Sequence, residues 1–212
     1  MTARPASRRI AVVSGGLSET SATRRLADRL GEATVAALAA RGVAAEVTTF
    51  DLRPRAHDIT NAMLTGFAGR SLQADLDAVL AADGVVAASP VYSGAYTGLF
   101  KGFVDLLGQA AFDGTPVLLA ATAGTARHSL ALEHAMRPLF SYLRALTVPT
   151  GVFAASEDWG GDGEAAGALS GRIERAAGEL ADLVASRDPK RVVDEYENAP
   201  AFTDLLGSLR TS

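Results

Sequence analysis

Short apolar runs alternate with longer amphipathic segments along most of this chain. Each run is rich in valine, alanine or leucine, and several end in glycine or another small residue. Such runs are typical of strands that are buried on both faces of a parallel sheet. They predict strands at residues 8–15, 43–50, 84–92, 115–124 and 146–156.

The segments between these runs carry apolar residues at intervals of three and four, which is the spacing of an amphipathic helix. They predict helices at residues 20–41, 71–83, 97–108, 126–146 and 163–187. Gly42 suits a helix end, and Pro54 argues against one continuous helix through residues 51–68. Alternating strands and helices predict an α/β domain in which helices cover both faces of a parallel sheet.

Composition narrows the class of protein. The 212 residues carry a net charge of −4 and include no cysteine, which argues against a general nucleic-acid binder and excludes disulfides and thiolate metal sites. No apolar tract is long enough to span a membrane, and the basic start lacks the apolar core of a signal peptide. We therefore expect a cytoplasmic protein with a disordered arm at 1–7, one domain at 8–187 and a tail at 188–212 that is available for oligomer contacts.

Ligands bind parallel sheets beyond the carboxyl ends of the strands, and the loop after the first predicted strand is rich in donors. The stretch SGGLSETSATRR (14–25) combines two glycines, four hydroxyl residues within positions 18–23 and the start of a helix, whose free amides attract anions. A phosphate monoester would use this many donors. The alternative is an ordinary helix cap, although a cap needs only one hydroxyl. The predicted phosphate-binding residues are Gly15, Gly16, Ser18, Thr20, Ser21 and Thr23.

The loop after the third predicted strand, SPVYSGAYTGLFKGF (89–103), suits a flat heterocycle with polar edges. A proline and a tyrosine offer an apolar wall, and the residues after them leave backbone amides accessible. The alternative is an ordinary turn with a packed tyrosine. The candidate ring contacts are Pro90, Val91, Tyr92, Ser93 and Gly94.

The loop after the fourth predicted strand, ATAGTARHS (121–129), again places small residues before a helix. The amides of Thr122, Ala123 and Gly124 would stabilise negative charge on a ring edge. His128 is a further candidate near the ring, with a cap or surface role as the alternative, whereas His57 and His134 are interpreted as surface or structural residues. No group of residues has metal-ligand spacing, so no metal is expected.

These segments resemble a known family. Gly15, Ser21 and Thr23 match the phosphate loop of NAD(P)H-dependent FMN reductases with the flavodoxin-like fold. SPVYSGAYTGLFKGFVDLL (89–107) is similar to their second signature, and TAGTARHSLALEHAMRPLFSYLRA (122–145) is similar to a third segment. The resemblance covers most of residues 8–156 and is closest to the actinobacterial branch that is associated with luciferase-like monooxygenases.

The resemblance implies a three-layer αβα fold, with a five-stranded parallel sheet in the order 2-1-3-4-5. It also implies hydride transfer from NADH or NADPH to FMN, with reduced flavin supplied to a monooxygenase, and a homodimer or homotetramer. Three alternatives stay open: a quinone, azo or chromate reductase on the same fold, a flavodoxin-like electron carrier, and a flavin-binding module without turnover.

The chain departs from the family pattern in its first loop. Many relatives carry Gly-Ser followed by an arginine, whereas this chain has Gly15, Gly16 and Ser18. One positive charge toward the phosphate is therefore either missing or supplied by Arg24 or Arg25. A missing charge would weaken the retention of FMN, which would suit an enzyme that releases reduced flavin.

Overall fold

The apolar runs form the strands of one sheet in the computed structural model, which describes residues 7–160 and 164–190. The interpretation of residues 1–6 as an arm, and of the tail beyond residue 190, lies outside these ranges. The strands are β1 (Arg8–Ser14), β2 (Ala45–Asp51), β3 (Gly84–Tyr92), β4 (Ala95–Tyr96), β5 (Pro116–Ala123), β6 (Leu146–Thr147) and β7 (Val152–Ala155).

The main strands run parallel in the order β2-β1-β3-β5-β6, and β7 also pairs with β5. The short β4 folds back antiparallel on the end of β3. The predicted order 2-1-3-4-5 is confirmed, and it is the strand order of the flavodoxin-like fold. The predicted fifth strand is split into β6 and β7, because Pro149 lies between them and has no N–H for the ladder.

Helices cover both faces of the sheet, as the alternating pattern predicts. On one face Ile10 and Val12 of β1 pack with α1 and α6, and on the other Ala11 and Val13 pack with the remaining helices. The sheet and the helices on each of its two faces thus form three layers, with one apolar cluster at each interface. The helices are α1 (Ala22–Ala40), α2 (Ala56–Thr65), α3 (Arg70–Leu80), α4 (Gly98–Leu106), α5 (Arg137–Tyr142) and α6 (Glu164–Ala185).

The prediction of one helix over residues 126–146 is wrong. The segment contains a 3₁₀ turn at Ala126–His128, a π-helical turn at Leu132–Met136 and the short α5. Pro138 at the start of α5 has no N–H to continue an α-helical ladder, and the amide of Arg137 bonds five residues back to Leu132. By contrast, the expected break at Pro54 is confirmed, since that residue lies in a 3₁₀ turn before α2.

The residues that follow α6 bind at the amino ends of the strands. The Lys190 amide donates to Asp83 Oδ1 at 2.6 Å, and Arg9 Nη2 donates to the Lys190 carbonyl at 2.7 Å. Burial lowers the pKa of Lys190, whose ammonium group donates to Thr115 Oγ1. This anchor lies at the opposite edge of the sheet from the carboxyl ends. No helix within the described ranges is long and apolar enough to cross a membrane.

Candidate functional site

The loops after β1, β3 and β5 meet because these strands are neighbours in the sheet. Their ends lie in register, with Ser14 beside Ala88 and Pro90 beside Thr122. Between the loops lies a cavity of about 270 Å³. Its lining residues are Leu17, Ser18, Ser21, Ala22, Thr23, Pro90, Val91, Tyr92, Thr122, Ala123, Gly124, Ser156 and Trp159.

Ser21 begins α1 and faces the cavity. Its backbone is extended, and its Oγ accepts a hydrogen bond from the Arg24 amide at 3.2 Å, so it is the N-cap of the helix. The capping interpretation is therefore correct for this residue. The cap leaves the amides of Ala22 and Thr23, in the first turn, without partners inside the helix. The N-terminus of α1 thus presents free donors at the cavity wall.

The two glycines before this cap allow the chain to pass through a crowded corner. A Cβ on Gly16 would lie 2.0 Å from Ser21 Oγ, and one on Gly15 would lie 3.0 Å from Phe100 Cβ. The Gly15 amide donates to the Ala88 carbonyl at 2.8 Å, which ties the loop to β3. Neither glycine lines the cavity, so their role in this structure is to shape the loop. Thr20 is exposed and also lies away from the cavity lining.

Thr23 and Thr122 join two sides of the site. Their Oγ1 atoms lie 2.6 Å apart, and both side chains are buried. Two hydroxyl groups carry two protons, and their mutual hydrogen bond uses one of them. The other proton remains for a ligand. The hydrogen bond itself holds the start of α1 against the end of β5.

The end of β3 supplies the apolar wall of the cavity. Pro90 and Val91 are half-buried, whereas Tyr92 is 56% exposed and flanks the opening. Ser93 and Gly94 form the tight turn into β4, with φ angles of +51° and +84°. They are exposed and do not line the cavity, so the structure does not place them with the other candidate ring contacts.

The end of β5 contributes Thr122, Ala123 and Gly124 to the lining. The expected α-helix does not begin after them, because residues 126–128 form only a 3₁₀ turn. His128 lies in that turn, is exposed and does not line the cavity. His57 and His134 are exposed, in agreement with their interpretation as surface residues.

Four lining residues are absent from the sequence-based set: Leu17, Ala22, Ser156 and Trp159. Ser156 and Trp159 belong to a 3₁₀ turn that follows β7. Both residues follow the carboxyl end of the predicted fifth strand. The rule that ligands bind beyond the carboxyl ends of parallel strands would therefore have pointed to them.

No residue of this lining carries a formal charge. The nearby Arg24 is paired with Asp28 at 2.9 Å and with Asp51 at 3.6 Å. Among the residues that the structure describes, no group of three or more carboxylates and histidines is placed to hold a metal ion. The cavity lining therefore offers neutral donors and the aromatic surfaces of Tyr92 and Trp159, but no carboxylate to repel an anion.

These features fit a flavin mononucleotide. The hydroxyls of Ser18 and Ser21 and the first amides of α1 suit a terminal phosphate, and the apolar wall at the end of β3 suits a flat ring. The cavity is slightly smaller than the range of about 300–1,000 Å³ that is usual for small-molecule sites. A molecule as long as FMN would extend beyond it, past Tyr92 at the opening. The fold and the site thus define a flavodoxin-like protein with a nucleotide cleft at the carboxyl ends of its strands.

Comparison with known proteins identifies the family. Residues 8–160 match the family model described as NADPH-dependent FMN reductase. The "NADH-dependent FMN reductase SfnE" of Pseudomonas putida is 40% identical over 168 residues, which cover 79% of this chain and 88% of the relative. The "FMN reductase (NADPH)" of Pseudomonas aeruginosa is 47% identical over 116 residues, which cover 55% of this chain. That match spans 62% of the P. aeruginosa relative, slightly less than two thirds of its length.

A solved structure agrees over a longer stretch. The oxidoreductase from Corynebacterium diphtheriae is 49% identical with a TM-score of 0.83, covering 86% of this chain and 99% of that one. The chain belongs to the NADPH-dependent FMN reductase family. The predicted enzyme class, an NAD(P)H:FMN oxidoreductase with FMN and a nicotinamide nucleotide, is confirmed at the level of this family.

Proposed function

We propose that this protein reduces FMN with NADH or NADPH in the cavity at the ends of β1, β3 and β5, and that it supplies the reduced flavin to a monooxygenase. The observation that carries the proposal is the uncharged cavity that joins the N-terminus of α1 to the ends of β3 and β5. When bound, FMN supplies the hydride-accepting chemistry. The work of the protein is binding, orientation and electrostatics.

The phosphate end is assigned to the loop before α1. Ser18 and Ser21 donate hydroxyl protons, and the first amides of α1 add a partial positive charge. Thr23 contributes through its amide, and its pair with Thr122 contributes the hydroxyl proton that their mutual hydrogen bond does not use. Gly15 and Gly16 shape this loop. Thr20, the last of the predicted phosphate-binding residues, is exposed and lies outside the cavity lining, so it is assigned no contact with the phosphate.

The ring end is assigned to the loops after β3 and β5. Pro90, Val91 and Tyr92 contact one edge of the ring, and the backbone amides of residues 122–124 face its electron-rich edge. No lining side chain is a carboxylate, histidine or lysine. This lining would therefore supply no acid or base to hydride transfer. Ser93, Gly94 and His128 are exposed and lie outside the lining, so they are assigned no contact in this cavity.

A matched pair of variants tests the phosphate assignment. Ser18 lines the cavity, whereas Thr20, two residues further along the same loop, does not. A hydrogen bond to a charged group contributes about 1.5–3 kcal/mol, so Ser18→Ala is expected to raise the KM for FMN about tenfold or more. Thr20→Ala should leave the KM unchanged, and kcat should hold in both. Equal KM values in the two variants, measured by NADH and NADPH oxidation, would refute the assignment.

The supply of a monooxygenase is the finer part of the proposal. The small cavity favours exchange of FMN over permanent retention, and the similarity to the C. diphtheriae oxidoreductase supports the actinobacterial branch. Such a donor works in the cytoplasm, where reduced nicotinamides are available. Gel filtration of the purified protein with FMN tests this, because an exchanging flavin separates from the protein. Flavin that co-elutes quantitatively would contradict a supply role.

We also propose a homodimer or homotetramer. Met63, Leu64 and Phe67 at the end of α2 are each more than half exposed, which is the surface that a second copy would cover. Sedimentation at micromolar concentration tests this, and a monomer would contradict it.

A further inference from the structure

Trp159 forms part of the cavity wall and is held by its own turn. The turn follows β7, where Asp158 accepts a hydrogen bond from the Ala155 amide at 2.7 Å and pairs with Arg172 at 2.9 Å. The indole therefore has a defined position, although it follows the last predicted strand and belongs to no predicted motif. It brings a fourth loop to a site that the sequence assigned to three.

Arg25, in the first turns of α1, packs against this indole. The guanidinium carbon of Arg25 lies 4.7 Å from the centroid of the Trp159 ring, which is the geometry of a cation–π contact. Such a contact fixes the place of the cation without cancelling its charge. A guanidinium also stays protonated throughout the physiological pH range.

The neighbouring arginines are occupied. Arg24 pairs with Asp28 and Asp51, and Arg53 pairs with Glu19 at 3.1 Å. Within the described residues Arg25 has no carboxylate partner. Of Arg24, Arg25 and Arg53, Arg25 is thus the arginine that is held by an aromatic ring and not by a carboxylate.

We propose that Arg25, positioned by Trp159, is the cation that pairs with the terminal phosphate of the flavin. The inference rests on the proposed function and deepens it. The loop from Gly15 to Thr20 carries no arginine or lysine, and the cavity lining is uncharged. A phosphate monoester carries about −1.5 to −2 charges at pH 7. Arg25 supplies the charge from the helix, and the indole keeps the guanidinium at the cavity edge.

The chain offers its own probe for a test. Trp159 is the only tryptophan in the sequence, so its fluorescence reports on this wall alone. A flavin bound beside it quenches that fluorescence, and a titration gives a Kd without any turnover. Riboflavin, which has the same ring and ribityl chain but no phosphate, separates phosphate contacts from ring contacts.

Arg25→Gln is expected to weaken FMN about tenfold, the effect of losing one charge-assisted hydrogen bond, and to change riboflavin binding less than twofold. Arg29→Gln is the matched control, since it removes one charge from the same helix, where Arg29 Nη2 donates to Ser170. It should leave both affinities within twofold. Arg25→Lys keeps the charge but loses the planar stacking, so its FMN affinity should fall between those of the wild type and Arg25→Gln.

Two results would overturn the inference. One is an Arg25→Gln variant that keeps the wild-type preference for FMN over riboflavin. The other is an equal loss of both ligands, which would mean that Arg25 acts only by shaping the wall. A wild-type protein that binds neither flavin would instead overturn the proposed function, and this inference with it.

Discussion

The hydroxyl pair of Thr23 and Thr122 ties the phosphate end of the site to the ring end, and its strength can be measured. Its Oγ1 atoms lie 2.6 Å apart with both side chains buried. A substitution of either threonine by valine keeps the shape but leaves the other hydroxyl without this partner. An unpaired buried polar group costs about 1–3 kcal/mol. Each of Thr23→Val and Thr122→Val should therefore lower the free energy of unfolding by that amount.

The double variant is the informative one. Replacing both hydroxyls removes the bond without leaving an orphan, so its cost should be smaller than the sum of the two single costs. We expect a coupling energy of about 0.5–1.5 kcal/mol, the net contribution of one hydrogen bond. Equilibrium urea unfolding of the four proteins gives the cycle. In a chain of this size each kcal/mol also shifts the Tm by about 2–4 °C.

A control sits on the same helix. Thr34 is buried, and its hydroxyl donates to the Leu30 carbonyl at 2.7 Å, far from Thr122. Thr34→Val combined with Thr122→Val should be additive within about 0.5 kcal/mol. If Thr23→Val and Thr122→Val are equally additive, the two sides of the site are not joined by this bond and the reasoning fails.

The remaining predictions concern packing and pH. Gly84→Ala would place a Cβ 2.7 Å from Val184 Cγ2, so we expect the free energy of unfolding in urea to fall by about 1–3 kcal/mol. Gly171→Ala, in open space on α6, should instead raise the free energy of unfolding by about 0.5–1 kcal/mol. The hydrogen bond from Arg137 lowers the pKa of the Glu133 carboxyl in the folded protein. The ionised Glu133 therefore stabilises the fold at pH values above its ordinary pKa of 4.5. This stabilisation is lost as the pH falls through the lower pKa of the folded state. Both side chains are partly exposed, so Glu133→Gln should cost only about 0.5 kcal/mol at pH 7. Stability measured against pH should show this difference vanish in acid, and a difference that persists there would contradict the assignment.

Much of the fold could be predicted because most of the central strands are short apolar runs and each long helix has a clear apolar face. The error at residues 126–146 has a local cause. Leu132, Met136, Leu139 and Leu143 keep helical spacing, but Pro138 removes an amide that an α-helix needs. The Arg137 amide bonds five residues back to Leu132, which makes a π-helical turn. The spacing of apolar side chains shows which face of a helical segment is buried. It does not show which carbonyl accepts the hydrogen bond of each backbone amide.

The candidate site was predictable where it depends on strand order. Ser18, Ser21, Pro90 and Thr122 meet because parallel strands bring their carboxyl ends to one edge. The contribution of Trp159 depends on a short turn after β7 that has no periodicity to detect. The mutual bond of Thr23 and Thr122 likewise could not be inferred, since it joins residues 99 positions apart through side-chain rotamers.

A crystal structure of the FMN complex is the decisive measurement. We expect the phosphate at the N-terminus of α1, within hydrogen-bond distance of Ser18 and Ser21, with the ring at the ends of β3 and β5. A flavin bound at another face, or bound here with its phosphate away from α1, would contradict this assignment.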